Sequence, residues 1–372
     1  MLGWTPETLE LAALALAKFD HLSESELKLL CAATTGEFAF CGPSTRVDDQ
    51  ENDSTKAAGW GDERTIRAAL LRWLCLDGTA RILVDPRGIV VHAAKIADEL
   101  DLSFATVPFP LAFMNCHYAV DMSLLGAQLQ AFSLFASRTK AIMADGLKVR
   151  GNLLFRNGNA EGEVRLLGAD VGGIIDCRNG KFNNAGAIAL AADGLKGGDV
   201  YLRYGFSVDG EVRLLGAAIR GNLECDGAEF ASDTVVSLEQ ASVAGSFMWR
   251  NVRWNLESKR DAEADSLPKP RPSVRLNLQH TTVGPMADDK NSWPPIGTLL
   301  LDGFVYARIG AGPRGAKSRL EWLSRQGDRF WPQPYQQLAK VLREAGDDSG
   351  ARSVLVAMEN SRRKYGKLPW SS

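Results

Sequence analysis

Long apolar runs, histidines and paired cysteines are all scarce in this chain of 372 residues. No uninterrupted apolar run approaches the roughly 18 residues that a membrane-spanning helix needs, so the sequence predicts no such helix. The stretch Leu9–Phe19 is only partly apolar, because Glu10 and Lys18 interrupt it, and no cleavage signal follows it. We therefore expect no signal peptide.

Cysteine usage argues against disulfides and against a metal centre. The six cysteines include no CxxC pair and no metal-ligand spacing. Cys177 and Cys225 occupy equivalent positions of the repeat described below, two coils apart. At the strand spacing of a sheet, two coils are separated by roughly 9–10 Å. This distance is too long for a disulfide. We interpret them as small buried core residues, and a chain without disulfides favours a reducing, cytoplasmic compartment.

The histidines and the net charge exclude further classes of function. His21, His92, His117 and His280 have no second ligand at metal spacing, and none stands in a defensible triad with serine or cysteine. We interpret all four as surface or packing residues. A formal net charge of −2 gives no reason to expect a nucleic-acid partner. The sequence therefore predicts no catalytic residue, no metal ligand and no cofactor.

The chain does contain a long internal repeat. The phrase GEVRLLGADVGGIIDCRNGKF occupies Gly162–Phe182, and GEVRLLGAAIRGNLECDGAEF occupies Gly210–Phe230, 48 residues later. Repetition at a fixed period is the sequence signature of an architecture built from stacked units.

A shorter period underlies this repeat. Four series of apolar residues advance together along the chain, and most of their steps are 20–24 residues long. The series are Phe182, Phe206, Phe230, Trp254; Val107, Leu129, Val149, Val171, Leu195, Ile219, Val243; Leu102, Leu124, Ala144, Leu166, Leu190, Leu214, Leu238; and Val91, Phe113, Phe135, Phe155, Cys177, Leu202, Cys225, Trp249. Four series in step indicate a coil with four inward corners or sides.

Strand geometry explains the spacing within each coil. In residues 212–214, Val212 and Leu214 share one face and Arg213 takes the other, as in a strand. An amphipathic helix would need apolar residues that recur every three and four positions, and this spacing is absent. The sequence therefore predicts a mainly β fold, a right-handed parallel four-sided β-solenoid with an N-terminal helical cap and a C-terminal helical hairpin. Each coil buries its apolar residues against coils roughly 4.8 Å away.

Three segments follow from this pattern. Residues 1–87 form a helical N-terminal cap that covers the unpaired edge of the first coil. Residues 88–309 form the β-solenoid, with a charged, proline-rich flexible insertion at about 256–273. Residues 310–372 form a C-terminal helical segment with a basic tail. We expect helices over residues 1–33, Trp60–Leu76, Ala316–Arg325, Pro334–Ala345 and Gly350–Tyr365.

Several stretches together carry a resemblance to a known family. They are Trp60–Leu76 (WGDERTIRAALLRWLCL), Val84–Gly88 (VDPRG), Leu102–Leu111 (LSFATVPFPL), the two GEVRLLGA units, Leu301–Tyr306 (LDGFVY) and Pro334–Glu359 (PYQQLAKVLREAGDDSGARSVLVAME). The chain resembles uncharacterised bacterial proteins with pentapeptide-like β-helical repeats.

The resemblance covers most of the chain and implies a β-helical fold. Members of this family commonly continue, after the helical hairpin, into membrane-spanning segments, and some carry an oxidoreductase label. This sequence instead ends in the basic stretch Arg362–Trp370 and two serines. The resemblance therefore implies the fold and proximity to a membrane, and it supplies no catalytic residues.

One short motif suggests a nucleotide site. Gly310–Gly315 (GAGPRG) matches G-x-G-x-x-G and lies between a predicted strand and a predicted helix. No second strand ending in an acidic residue follows about 20 residues later, as a dinucleotide site requires. Pro313 also lacks an amide donor for a phosphate. We interpret the motif as a plain strand-to-helix loop, with a nucleotide site as the alternative.

A second candidate is a ladder of outward charges on the repeats. Glu163 and Arg165 in one repeat correspond to Glu211 and Arg213 in the other. Such a ladder suits a polysaccharide or another anionic polymer. The alternative, which we favour, is a solvated face whose charges keep the stack soluble.

The C-terminal segment is basic. From Ala307 to the end, 13 Lys and Arg stand against 6 Asp and Glu, whereas Gly88–Asn255 has 15 against 18. Arg362–Trp370 places cations beside aromatic residues, which suits an anionic membrane surface. Favourable charge at a helix C-terminus explains the same residues equally well.

From these observations we expect a non-enzymatic scaffold or interaction module. Its partner is an unknown protein or an anionic membrane surface, and its expected location is the cytoplasm, including the inner face of the membrane. The alternative is an enzyme, either a nucleotide-dependent oxidoreductase or one that acts on a polysaccharide. A mimic of nucleic acid is the weakest alternative, because the solenoid segment has only three more acidic than basic residues (18 minus 15).

Overall fold

The computed structural model describes residues 4–256 and 274–365. Its fold is a parallel β-solenoid of about nine turns, mainly β, with helices in the N-terminal and C-terminal parts of the chain. The predicted fold class is therefore confirmed, whereas the four-sided cross-section and the right-handed sense stay predictions. The chain forms two compact units, Met1–Asn184 (the first unit) and Ala185–Ser372 (the second unit). The segment boundaries at residues 87 and 309 stay predictions.

Helices lie in both units. The α-helices of the described residues are α1 (Pro6–Lys18), α2 (Glu24–Thr35), α3 (Ala68–Leu76), α4 (Ala316–Leu323), α5 (Pro332–Glu344) and α6 (Asp348–Tyr365). Short 3₁₀-helices occupy Gln50–Asn52, Ser54–Gly59, Asp62–Arg64, Ala80–Leu83, Lys290–Ser292 and Ser324–Gln326.

Short strands make up most of both units. In the first unit they are β1 (Phe38–Phe40), β2 (Thr65–Arg67), β3 (Ile89–His92), β4 (Lys95–Ala97), β5 (Leu100–Asp101), β6 (Thr106–Val107), β7 (Leu111–Met114), β8 (His117–Tyr118), β9 (Met122–Ser123), β10 (Gln128–Leu129), β11 (Phe132–Phe135), β12 (Arg138–Thr139), β13 (Ile142–Met143), β14 (Lys148–Val149), β15 (Leu153–Leu154), β16 (Asn159–Glu161), β17 (Val164–Arg165), β18 (Asp170–Val171) and β19 (Ile175–Asp176). Strand β20 (Lys181–Ala191) contains the division between the units.

The strands of the second unit follow the same plan. They are β21 (Lys196–Gly197), β22 (Val200–Tyr201), β23 (Ser207–Arg213), β24 (Ala218–Ile219), β25 (Leu223–Glu224), β26 (Glu229–Ala231), β27 (Val236–Ser237), β28 (Ser242–Val243), β29 (Phe247–Trp249), β30 (Arg253–Leu256), β31 (Leu276–Asn277), β32 (Thr282–Asp288), β33 (Leu299–Leu300) and β34 (Val305–Ala311).

Equivalent strands of successive turns pair in parallel and form columns. In the first unit the columns are β6–β10–β14–β18, β1–β3–β7–β11–β15–β19, β2–β4–β8–β12–β16 and β5–β9–β13–β17. In the second unit they are β21–β24–β28–β32–β34, β22–β25–β29–β32, β23–β26–β30 and β23–β27–β31–β33. Each turn thereby satisfies the backbone of its neighbour and buries the apolar side chains stacked on it.

The predicted apolar series form the core of the first unit with one correction. Val107, Leu129, Val149 and Val171 are all buried, and consecutive members pair in register. Phe135, however, is only half-buried.

The residue that occupies the predicted place of Phe135 in the core is its neighbour. Leu134 is buried and pairs with Phe113. In the four-residue strand β11, the residues that point into the core are Phe132 and Leu134, so the core position lies one residue earlier than the spacing of the series predicts.

In the second unit the predicted register is wrong by two residues at two strands. Leu195 is buried, but Gly197 is the residue that pairs with Ile219. Leu195 lies just before β21 and is also buried in the core. From its spacing in the sequence it therefore cannot be distinguished from the strand residue that pairs with Ile219.

The same displacement affects the aromatic series. Phe206 is buried, but Val208 pairs with Phe230. In the third series Ala192, which donates its N–H to the carbonyl of Arg213, takes the place predicted for Leu190.

The N-terminal helices begin where their capping residues predict. Thr5 accepts a hydrogen bond from the N–H of Thr8 at 3.2 Å, and Pro6 is the first helical residue of α1. At α2, Ser23 and Glu26 form a capping box in which each side chain accepts from the other residue's N–H.

The helix expected over Trp60–Leu76 is confirmed only in its second half. Thr65–Arg67 form strand β2, and Ile66 is buried opposite Ile96 of β4. The β-branched side chain and the ladder to β4 override the helical spacing of the apolar residues. The helix α3 begins only at Ala68.

The polar loop between β1 and β2 packs on one edge of the first unit. Asn115 Nδ2 donates to the carbonyl of Val47 at 3.1 Å, and Ser54 donates to the carbonyl of Ala136 at 3.0 Å. Asn115 and Ala136 have φ of 53° and 48°, a conformation in which the chain turns between strands. The loop therefore follows the corners of successive turns.

The three predicted C-terminal helices are confirmed as α4, α5 and α6. The last two pack on each other as the expected hairpin, and Gly346 (φ 84°) lies at the joint. Residues 257–273 of the predicted insertion and residues 366–372 of the predicted tail lie outside the described residues.

Gly88 provides a direct test of how closely the turns stack. It has φ of 87°, and a Cβ there would lie 2.0 Å from the carbonyl oxygen of Pro110 on the next turn. Gly168 also has a positive φ, 62°, but a Cβ there meets nothing within 4 Å. We expect Gly168→Ala to cost about 1–2 kcal/mol for the left-handed backbone alone, and Gly88→Ala to cost about 1–3 kcal/mol more because the two turns must move apart.

The measurement is urea unfolding of both variants beside the parent protein, followed by circular dichroism. Equal losses of unfolding free energy for the two variants would contradict the close approach of these turns.

Candidate functional site

A groove of about 570 Å³ in the second unit is the candidate functional site. One wall is part of strand β34, and the other is the C-terminal end of helix α5. Its lining consists of residues 307–310, Arg314, Val341, Leu342, Glu344 and Ala345. We call it the C-terminal groove.

The strand wall presents a backbone edge to the groove. β34 pairs along one side with β32, where the N–H of Val305 donates to the carbonyl of Thr281 at 2.9 Å. Alternate residues of a parallel strand turn their N–H and C=O groups to opposite edges. Tyr306 therefore presents its backbone groups to the edge away from β32.

Two glutamines of α5 cover the first part of this edge. Gln333 Nε2 donates to the carbonyl of Phe304 at 3.1 Å, and its Oε1 accepts from the N–H of Gly303 at 3.0 Å. The buried Gln337 donates from Nε2 to the carbonyl of Tyr306 at 2.8 Å. These amides do the hydrogen bonding that a next strand would otherwise do.

The ladder between β34 and β32 continues beyond Tyr306. Arg308 pairs with Pro285, and because proline has no N–H, the N–H and C=O of Arg308 themselves make this pair with β32. Farther along, the guanidinium of Arg314 donates to the carbonyl of Gly310 at 2.8 Å. Side chains thus cap the backbone of β34 at Tyr306 and at Gly310.

The helix wall is apolar at its base and polar at its rim. Leu338, Val341 and Leu342 of α5 are buried, and the last two line the groove. Glu344 and Ala345 are exposed at the rim. The spacing of the buried residues is that of an amphipathic helix whose apolar face turns to the strand.

Arginines give the groove a positive rim. Arg308 and Arg314 are exposed, and within the described ranges neither guanidinium lies at ion-pair distance from a carboxylate. The carboxylate of Glu344 already has Lys340 Nζ at 4.0 Å. The uncompensated charge at the groove is therefore positive.

A buried ion pair fixes the loop that carries Arg314. Both terminal nitrogens of Arg319 on α4 donate to the carboxylate of Asp288 on β32, at 2.7 and 2.8 Å, and the Nε donates to the carbonyl of Pro313 at 2.6 Å. Trp293 Nε1 also donates to Asp288, at 2.8 Å. Arg319 is fully buried and Asp288 is 4% exposed, so this pair sets the geometry where β34 ends.

The glycine motif at Gly310–Gly315 forms this same loop. Gly312 has φ of 110°, and a Cβ there would lie 2.1 Å from the carbonyl oxygen of Asp288. After α4 the chain continues into the 3₁₀-helix Ser324–Gln326 and then α5, not into a second strand. The strand–helix–strand context of a dinucleotide site is therefore missing, and the glycine serves close packing against β32.

The four histidines do not form a metal site. His21 and His280 are exposed, whereas His117 is half-buried and His92 is fully buried. No group of three or more potential ligands occurs among the His, Cys, Asp and Glu residues that the structure describes.

His92 is the most unusual of them. Burial, and then the nearby guanidinium of Arg64, lower the pKa of His92, and neither ring nitrogen has a hydrogen-bond partner in the described part of the chain. Its ring meets that of Phe40 edge-on at 5.5 Å between centroids. A neutral imidazole packed against an aromatic ring fits the predicted packing role.

Both arginines of the predicted charge ladder form ion pairs with aspartates of the same unit. Arg165 Nε lies 2.8 Å from a carboxylate oxygen of Asp145, and Arg213 pairs with Asp193 in the same way. In each case the aspartate comes 20 residues earlier in the chain. Burial raises the pKa of Glu211. Arginines already paired within the stack offer little charge to an anionic polymer.

None of the six cysteines forms a disulfide and all six are buried, including Cys177 and Cys225, as the sequence predicts. Burial raises the pKa of the Cys41 thiol to about 11 and that of Cys75 to about 12. Such thiols are poor nucleophiles near neutral pH.

The basic tail is described only in part. Arg362, Arg363 and Lys364 form the last turn of α6, where positive charge complements the helix dipole. Over residues 4–256 and 274–365, no helix has both the length and the apolar character needed to cross a membrane.

A second, smaller depression lies in the first unit. It measures about 420 Å³ and runs over exposed positions of successive turns, among them Gln128, Lys148 and Asp170. It lies on the face of β10, β14 and β18, which pair with one another in register. The C-terminal groove, which is larger and has a helix as one wall, is the stronger candidate.

Comparison of the chain with protein-family models, with curated proteins and with solved structures finds no match.

Sequence reasoning missed the residues that shape this groove. Gln333 and Gln337 lie four residues apart on α5 and face the strand, which is the helical spacing of a single face. The signal in the sequence is a pair of polar residues on the buried face of a helix that follows the last strand. Such a pair predicts side chains that bond the free backbone edge of that strand. Asp288 and Arg319 are separated by 31 residues, and no local pattern connects them.

The Asp288–Arg319 pair should be much more important to stability than an exposed pair nearby. Arg319→Met leaves the buried carboxylate of Asp288 without its cation, and we expect a loss of about 3–5 kcal/mol of unfolding free energy. The exposed Lys290–Glu321 pair, 2.6 Å long, is the matched control, and Glu321→Gln should cost less than about 1 kcal/mol.

Urea unfolding of both single variants and of the double variant Asp288→Asn/Arg319→Met measures the difference. The double variant should recover part of the loss, because no unpaired buried charge remains. Similar small losses for Arg319→Met and Glu321→Gln would show that the buried pair does not hold α4 to β32.

Proposed function

We propose that the protein is a non-enzymatic scaffold that binds a partner protein in the C-terminal groove. One observation carries the proposal: the groove combines an apolar helix wall, formed by Val341 and Leu342, with a positive rim, formed by Arg308 and Arg314. Protein interfaces combine an apolar centre with a polar rim, and rim charges select partners of the opposite charge.

The composition of the groove favours binding over catalysis. A catalytic site brings together a nucleophile, a base and groups that stabilise charge. The titratable side chains that line the described groove are Arg308, Arg314 and Glu344, and they include no nucleophile with an adjacent base. The packing role of Gly312 also removes the main support for a nucleotide-dependent oxidoreductase.

The rest of the chain suits a scaffold. Paired parallel turns form a framework whose stability is shared between neighbouring turns. The predicted resemblance to bacterial pentapeptide-like β-helical proteins agrees with a role in interaction, and we retain it as part of the proposal. The six cysteines, none of which forms a disulfide, support a cytoplasmic location. Arg362, Arg363 and Lys364 support a position near the anionic inner face of the membrane.

Site-specific photo-crosslinking in cells that produce the protein naturally tests the docking role. A benzophenone side chain at position 344 lies on the rim of the groove, and one at position 356 lies on the outer face of α6, where Val356 is 60% exposed. We expect a defined protein adduct from position 344 and none from position 356. The variant Ala345→Trp, which fills the groove, should remove the adduct.

The matched control is Val356→Trp, which adds the same bulk outside the groove and should leave the adduct unchanged. An adduct that persists in Ala345→Trp, or equal crosslinking from both positions, would overturn the proposal.

A further inference from the structure

We infer that the first unit carries a binding site for a phosphate group, formed by the side chains of Lys95, His117, Arg138 and Lys140. We call these four side chains the basic stripe. The inference goes beyond the proposed docking function, because every residue of the stripe belongs to the first unit and the C-terminal groove belongs to the second. It follows from the register of three strands, the balance of charge among them and the small residues beside them.

The register of β4, β8 and β12 places basic side chains next to one another. Lys95 pairs with His117, and His117 pairs with Arg138, so the three side chains occupy the same position on neighbouring turns. Neighbouring strands lie roughly 4.8 Å apart, and like charges at that separation repel each other. An anion bound between these side chains removes this repulsion.

One carboxylate compensates only part of the positive charge. Glu161 of β16 accepts a hydrogen bond from Nη2 of Arg138, and its other oxygen lies 2.9 Å from Nζ of Lys140. The three cationic side chains of the stripe and this single carboxylate have a net charge of +2 (3 minus 1), with His117 uncounted. A phosphate monoester carries a charge of about −1.5 to −2 near neutral pH. Its charge therefore matches that of the stripe.

Lys95 is available to contact a ligand. Within residues 4–256 and 274–365 it forms no ion pair, although the exposed acidic residues 98–99 and Asp121 follow β4 and β8 in the chain. The residues that come two positions after Lys95 and His117, on the same outward face, are Ala97 and Ala119. Their short side chains leave room beside the stripe for a group of the size of phosphate.

His117 lies at the centre of the stripe. Its Nδ1 is buried and meets no hydrogen-bond partner in the part of the chain that the structure describes. Burial lowers the pKa of His117, and so do three cations, in the order Arg138, Lys95 and Lys140. The carboxylate of Glu161 acts in the opposite direction and has the weakest of these effects. The imidazole is therefore surrounded mainly by positive charge, and it has an N–H to donate to a phosphate oxygen in either protonation state.

A phosphate fits the stripe better than a carboxylate does. A carboxylate brings a single negative charge, and Glu161 already supplies that group to Arg138 and Lys140. The guanidinium group binds phosphate through paired N–H groups, and the ammonium group of lysine binds it as a point charge. The phosphate oxygens thus have donors on three neighbouring turns.

A titration of the full chain with inorganic phosphate tests the inference. The NMR signals of the His117 ring, identified by their absence from His117→Gln, should shift with phosphate and reach saturation, whereas sodium chloride of equal ionic strength should leave them in place. Lys95→Met keeps the apolar stem and removes the charge. Lys95→Met and Arg138→Gln should each weaken phosphate binding about tenfold, because each removes a charge-assisted contact. The matched control Lys148→Gln changes an exposed lysine of β14 in the same unit and should leave the affinity unchanged.

Thermal unfolding separates a ligand site from a purely structural role of the lysine. Lys95→Met removes one of several like charges, so at low salt and without phosphate it should unfold at a higher temperature than the parent protein. Lys148 pairs with Asp170, a residue of opposite charge, so Lys148→Gln should bring no such rise. Phosphate should raise the unfolding temperature of the parent protein more than that of Lys95→Met. A lysine that serves only the fold would give the reverse: a lower unfolding temperature for Lys95→Met and equal responses to phosphate.

Two further probes distinguish the sources of a phosphate monoester. Glycerol 3-phosphate represents a soluble ligand, and phosphatidic acid in phosphatidylcholine vesicles represents a lipid headgroup. Binding of either probe that Lys95→Met weakens supports the inference and assigns the source.

Three results would overturn the inference. They are His117 signals that phosphate does not shift or that sodium chloride shifts equally, a phosphate affinity that ignores both Lys95→Met and Arg138→Gln, and acetate binding as tight as that of phosphate. None of them bears on the C-terminal groove, which Ala345→Trp tests separately.

Discussion

Backbone hydrogen bonding between successive parallel turns is the constraint on which this structure depends. Every strand of a column satisfies one edge of its neighbour, so no turn is complete by itself. Short strands are stable here because an apolar residue recurs at the same position of each turn and packs on the equivalent residue of the turn before it. The constraint also has a consequence at the last strand of a column, where β34 has a partner in β32 on one side and must find other partners on the other.

In the second unit, side chains supply hydrogen-bond partners for part of the free edge of β34. Gln333 and Gln337 occupy the first part of the free edge of β34, and Arg314 occupies its end. The buried pair of Asp288 and Arg319 holds the loop and α4 in place. An apolar helix wall and two exposed arginines lie beside these caps. The proposed function therefore depends on the way in which helices close the last strand of the second unit.

The sequence predicted the fold well because the apolar series reflect stacking directly. Val107, Leu129 and Val149 are buried in register as expected. It failed where two neighbouring positions both point inward, as at Leu195 and Gly197, since periodicity alone does not distinguish them.

The groove was not predicted, because its parts come from distant stretches of chain. Asp288 and Arg319 are joined only by the tertiary fold. Amide hydrogen exchange along β34 tests the central claim, the hydrogen bonding between successive turns, most directly. The N–H groups of Val305 and Arg308, which face β32, should exchange slowly, and the N–H of Ile309, which faces away from β32, should exchange fast. Exchange at Val305 and Arg308 as fast as at Ile309 would show that the ladder to β32 does not hold β34 and would contradict the account.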